Sequence, residues 1–106
     1  MTGADYEREL KSILTKQGWL VFRSAGSFNC DLVALKPDEH MLIEVKSTKD
    51  NRYPLNLNKY TKEQFLMLNN LAKEGFNVYY YMRWKGVNKW TIHKLPLDAF
   101  PIFKRD

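Results

Sequence analysis

Glu44 and Lys46 stand two residues apart in the apolar run from Met41 to Lys46, and in an extended strand that spacing puts both side chains on one face. Burying charged groups in such a strand costs several kcal/mol unless they pair with each other or hold a metal. Two readings follow: a cross-strand salt bridge at a sheet edge, or part of a chemical site. Asp31 opens the preceding apolar run, Cys30 to Leu35, and a short turn would bring that run back alongside the one carrying Glu44. As a turn residue or strand-start cap, Asp31 has no chemistry to do. If it meets Glu44, two carboxylates with the Val45 carbonyl and waters make a hard-oxygen site suited to Mg²⁺, with Mn²⁺ as a substitute. A metal held there polarises a phosphate and activates a water. Lys46, beside the carboxylates, is placed to orient that water or to neutralise charge developing on a phosphorane.

A third acid comes from a helix. Leu10 and Leu14 follow Glu7 at i+3 and i+7, which sets Glu7 at the rim of the face that meets a sheet. Its alternative role is favourable charge near the helix N-terminus, at most ~1 kcal/mol at an exposed site, and Glu9 suits that role equally. Arg8 projects from another side of the helix, either to a phosphate or simply into solvent.

The elements that must position these residues can be read from periodicity. A helix is expected from about Ala4 to Lys16, with Tyr6, Leu10, Ile13 and Leu14 at helical spacing and Gly18 as its stop. Strands are expected over Trp19–Arg23, Cys30–Leu35 and Met41–Lys46, separated by turns rich in Gly, Ser, Asn and Pro, and three strands in a row make an antiparallel meander. The polar stretch from Thr48 to Tyr60, with Pro54 and several asparagines, reads as a loop. Its cations Lys49, Arg52 and Lys59, with Lys62 nearby, either grip a DNA arm or are solvated. Thr61-Lys62-Glu63-Gln64 fits a capping box opening a helix that runs to about Glu74, before Gly75. Strands Asn77–Trp84 and Lys89–Leu95 follow, joined by Lys85-Gly86-Val87-Asn88 with Gly86 supplying the turn. The expected order is αβββαββ, an α/β fold with a sheet flanked by helices.

Composition narrows the classes. At 106 residues, 44% hydrophobic and 27% charged, the chain is an ordinary globular domain rather than a disordered or disulfide-stapled one. Cys30 is the only cysteine, so a cysteine-rich zinc site is excluded within one chain. A net charge of +5 suits a polyanionic partner. No apolar run approaches the roughly 20 residues needed to span a bilayer, and the N-terminus has no signal-peptide core, so a cytoplasmic protein without a membrane partner is expected. Tyr79, Tyr80, Tyr81, Trp84 and Trp90 can stack on bases but read better as core strand residues. His40 and His93 are at no ligand spacing to the acids. Phe65, Leu68, Leu71 and Ala72 form the inward face of the second helix, leaving Leu66 and Met67 as surplus apolar surface for a partner subunit.

The segments GADYEREL, GWLVFRSAGS, CDLVAL and LIEVKSTK, in this order and spacing, resemble the archaeal Holliday junction resolvases of the PD-(D/E)xK nuclease superfamily. The resemblance extends from about Gly3 to Lys49 and weakens over the second helix. It implies a restriction-endonuclease-like fold, a mixed central β-sheet flanked by helices, with residues 1–106 forming a single nuclease domain. It further implies a Mg²⁺-dependent homodimer that makes paired symmetric cuts in a four-way DNA junction, with no small-molecule cofactor. Carried over by motif, Glu7, Asp31 and Glu44 are the acidic metal group, with Val45 lending its carbonyl, and Lys46 is the catalytic lysine. Arg8, Arg23, Ser24, Ser27, Lys49 and Arg52 are then DNA-contacting or basic site positions. Cys30 stands where the superfamily has proline before the aspartate. Gln64 matches a glutamine near the start of the corresponding helix, as an alternative to its capping role. Competing readings are another nuclease of the superfamily acting on nicked, flapped or linear DNA, a catalytically silent DNA-binding module, and a structural protein with a core salt bridge.

Overall fold

Side-chain alternation along Glu39–Thr48 (β3) sends Met41 and Ile43 into one hydrophobic cluster and Leu42 toward another, so the central strand must be covered on both faces. A computed structural model of the chain describes residues 1–24 and 30–106. The first helix, Gly3–Lys16 (α1), covers one face with Leu10 and Leu14, which pack with Val21, Leu32, Ala34, Ile43 and Tyr81. The second, Lys59–Lys73 (α2), covers the other with Phe65, Leu68 and Ala72 against Val78, Tyr80, Met82 and Trp84.

The sheet itself has five strands in the order Leu20–Arg23 (β1), Leu32–Lys36 (β2), β3, Val78–Trp84 (β5) and Lys89–Lys94 (β6), with Arg52–Pro54 (β4) outside it. The expected meander is present: β1, β2 and β3 are successively antiparallel, with Leu32 opposite both Arg23 and Ile43. β3 then pairs parallel with β5, Glu44 beside Tyr80, and β5 pairs antiparallel with β6. This is the mixed α/β sheet expected, and the order αβββαββ holds for its elements. No helix is long and apolar enough to cross a membrane among the described residues.

Three expectations are corrected. The stretch from Thr48 to Tyr60 is not wholly loop: β4 pairs with Ile102–Lys104 (β7) in a separate two-stranded ribbon. Two strands of three residues, one containing proline and lying about 50 residues from its partner, leave no local periodicity to read. Helix α2 starts earlier than its expected capping box: Asn58 is the N-cap and its Oδ1 accepts the Thr61 N–H at 2.9 Å, so Thr61 is already inside the first turn. In the turn between β5 and β6, the left-handed position is Asn88 with φ 50°, not Gly86; asparagine tolerates that region better than most residues. Gly18 and Gly75 do have positive φ where the helices stop. The aromatic run is core, as expected, with Tyr80 and Trp84 wholly buried.

Candidate active site

Asp31 sits one residue before β2 and is tied across to β3 twice. Its N–H donates to the Ile43 carbonyl at 2.9 Å, and its Oδ2 accepts the Val45 N–H at 2.8 Å. These bonds bracket Glu44 and fix the Asp31 carboxylate at its level. Behind Asp31, the buried Ser24 hydroxyl donates to the Cys30 carbonyl, and the Ser24 N–H donates to the Asp31 carbonyl at 2.9 Å. Ser24 therefore braces the turn that carries the acid. Cys30 is itself buried, which pushes its thiol up to about 11 and keeps it unreactive.

Glu44 is 4% exposed, an extreme position for a carboxylate. Burial, and next the negative charge of Asp31, push its carboxyl up to about 7. Opposing this is the Lys46 ammonium, 3.2 Å from Oε2. Gln64 also opposes it weakly, lying close without a hydrogen bond of full geometry. The other oxygen, Glu44 Oε1, is buried with no partner among the described residues, as are Gln64 Oε1 and the hydroxyl of the adjoining Tyr80. Unpaired buried oxygens of this kind are uncommon and call for a ligand or water. Lys46 further lies 5.9 Å from the ring centre of Tyr60, within range of a cation–π contact.

The fold thus brings Asp31, Glu44 and Lys46 together, with Val45 supplying the backbone bond between them. The unpartnered Glu44 oxygen, the neighbouring Asp31 charge and the all-oxygen donor chemistry fit a divalent cation. Glu7 is held apart from this group. It belongs to α1, on the opposite face of the sheet, and its carboxylate pairs with Arg23 at 3.3 Å; no three acidic, histidine or cysteine side chains converge as a metal cage among the described residues. Arg8 is exposed and lies 3.7 Å from Asp5. Lys49 and Arg52 are exposed beyond the end of β3, and Ser27 lies outside the described residues.

Some features escaped sequence reasoning. Tyr60, exposed beside Lys46, has no distinguishing pattern; of the two readings of Gln64, the structure makes it a buried neighbour of Glu44 rather than a cap. On the α1 side, Glu9 accepts from the Trp90 indole at 3.1 Å and pairs with Arg83 at 3.5 Å, a link between residues too distant in sequence to be read. The histidines are structural: His40 Nε2 accepts the Asn77 N–H at 3.0 Å, and His93 stacks on Phe103 at 3.9 Å.

Comparison with known proteins matches residues 1–99 to the family model of the archaeal Holliday junction resolvase (Hjc). A curated relative, the crossover junction endodeoxyribonuclease Hjc of Methanocaldococcus jannaschii, is 41% identical over 54 residues. That match covers 51% of this chain and 41% of the relative's length. Among solved structures, the Holliday junction resolvase Hjc of Archaeoglobus fulgidus aligns with a TM-score of 0.70 at 24% identity, covering 96% of this chain and 83% of the other.

Proposed function

The chain belongs to the archaeal Holliday junction resolvase family, and we propose that it is a structure-specific endonuclease that hydrolyses phosphodiester bonds at four-way DNA junctions. The observation that carries this reading is the buried Glu44 with its unpartnered oxygen, bracketed by Asp31 and paired with Lys46. A binding module has no reason to retain a carboxylate that costs stability beside a second acid.

Asp31, Glu44 and the Val45 carbonyl would hold a divalent metal, Mg²⁺ or Mn²⁺, which would supply Lewis-acid polarisation of the scissile phosphate and an activated water. The protein's own groups do the rest. Asp31 is preorganised by the Val45 N–H, so it does not have to reorient when DNA arrives. Lys46 brings a fixed positive charge to the site and neutralises negative charge building on the phosphate oxygens. Glu7, the third acid of the family resemblance, pairs with Arg23 on the α1 side and joins Asp31 and Glu44 only if that pair opens when metal and DNA arrive. Arg8, Lys49 and Arg52 meet the DNA backbone, and Ser24 positions the backbone that carries Asp31. Recognition rests on junction shape and phosphate positions more than on base edges.

Two symmetric cuts require two copies, and a homodimer is part of the reading. It is supported by apolar side chains left in solvent, Leu20, Phe22 and Leu35 on β1 and β2 and Leu66 on α2. The deciding experiment is cleavage of an end-labelled four-way junction beside a linear duplex of the same sequence, with and without Mg²⁺. Paired cuts near the branch point, in the junction only and with metal only, are expected. Equal cutting of both substrates leaves a nuclease of another specificity, and binding without cutting leaves a silent module.

A further inference from the structure

The β4–β7 ribbon joins two cations that ordinary sheet pairing keeps apart. Arg52 and Lys104 are direct cross-strand partners, next to the pair Tyr53 and Phe103. Phe103 is buried and Tyr53 packs on the same core, so alternation turns Arg52 and Lys104 together to the solvent side. Both are exposed, and neither joins an ion pair among the described residues. Like charges directly opposite each other in an antiparallel pair destabilise it. An anion seated between them removes that repulsion.

The surroundings fit a polyanion. A groove of about 320 Å³ is lined by Asn51, Arg52, Lys104 and Asp106, and an adjoining one of about 530 Å³ shares Asn51 and Arg52 and adds Asp50 at its rim. Lys49 and Arg105 lie on the same segments and add to the local positive charge, while Asp106 lies 3.8 Å from Arg105. Arg105 is also tied to the ribbon's base, its N–H donating to the Asn51 carbonyl at 3.0 Å. β4 follows β3 after the three residues 49–51, and Arg52 stands six positions after Lys46, a reach of at most roughly 20 Å. On a duplex that distance is little more than half a helical turn.

We propose that the β4–β7 ribbon is a phosphate clamp: Arg52 and Lys104 together grip the backbone of the DNA arm whose bond is cut at Asp31, Glu44 and Lys46. It rests on the nuclease reading given above and adds to it a second point of contact, contributed by the C-terminal strand. Held at the site and at the ribbon, an arm has its path across the protein fixed, not only its nearest phosphate.

The test is a salt titration of binding to a fluorescent four-way junction, with chelator present so that nothing is cut. It compares wild type, Arg52→Ser, Lys104→Ser, the double variant, and Lys73→Ser as a remote control. Each ribbon substitution is expected to weaken binding several-fold and to lower the slope of log K against log salt by about 1, with Lys73→Ser unchanged. Lys104→Glu gives a readout that a merely structural role does not produce. It creates an ion pair with Arg52, so its melting temperature should rise while junction affinity falls below that of Lys104→Ser. A double variant with wild-type affinity and slope overturns the clamp while leaving the nuclease reading intact. A wild-type chain that binds no junction DNA overturns both.

Discussion

The two faces of the central sheet are built on different terms. On the α1 side, Leu10, Leu14, Leu32, Ala34 and Ile43 fill the interior, and polar groups stay at the rim, where Glu9 serves both Trp90 and Arg83. Only Arg83 Nε is left without a partner there among the described residues. On the α2 side a carboxylate is buried in the sheet, and among the described residues Glu44, Gln64 and Tyr80 each keep an unpartnered oxygen. One face favours stability; the other buries charge at a cost in stability, as the proposed nuclease site requires.

Changes to the charged face should cost activity most. Asp31→Asn is nearly isosteric but removes a carboxylate of the proposed metal site, and single-turnover cleavage of a four-way junction should fall at least about a thousandfold, equivalent to roughly 4 kcal/mol. Junction binding in chelator should stay near wild type. A wild-type rate in this variant breaks the division between the faces. On the apolar face the large effect is on stability. Leu32→Ala, at a site with no solvent exposure, should lower unfolding free energy in urea by about 2–5 kcal/mol.

Glu44 links the two by pH. Its folded-state carboxyl, at about 7, lies above its ordinary value of 4.5, so the folded chain holds the proton more tightly than the unfolded chain. The destabilisation is absent below about pH 4.5, grows between 4.5 and 7, and is complete above 7. Glu44→Gln should therefore stabilise the chelated protein by about 2 kcal/mol at pH 8, allowing for the partner Lys46 loses, and the gain should vanish at pH 4. Divalent metal should stabilise the wild type above pH 7 and not the variant. Equal urea midpoints at pH 8 remove the claimed cost. Smallest is Glu9→Gln, which weakens one partly buried ion pair and should cost about 1 kcal/mol by thermal melting, with cleavage unaffected.

What could be read from sequence divides along the same line. Alternation in Met41 to Lys46 placed Glu44 and Lys46 on one face, and the short turn into that strand placed Asp31 opposite, because both are consequences of local geometry. Both helices and the five strands of the sheet followed from periodicity, and the glycine stops at Gly18 and Gly75 from the need for positive φ. Contacts between distant segments were not legible. The pairing of Arg52–Pro54 with Ile102–Lys104, the Glu9 link to Arg83 and Trp90, and the meeting of Glu7 with Arg23 depend on how elements dock. Asn58 displaced Thr61 as the cap because either residue satisfies a free N–H, and only the packing of Thr61 and Gln64 against the core decides between them.

The most direct measurement is cleavage of an end-labelled four-way junction by wild type and Glu44→Gln side by side in Mg²⁺, with binding followed in parallel. Paired cuts at the branch point by the wild type, and intact junction bound but uncut by the variant, are expected. Cleavage by Glu44→Gln at the wild-type rate contradicts the account, because the buried carboxylate would then have no chemical role.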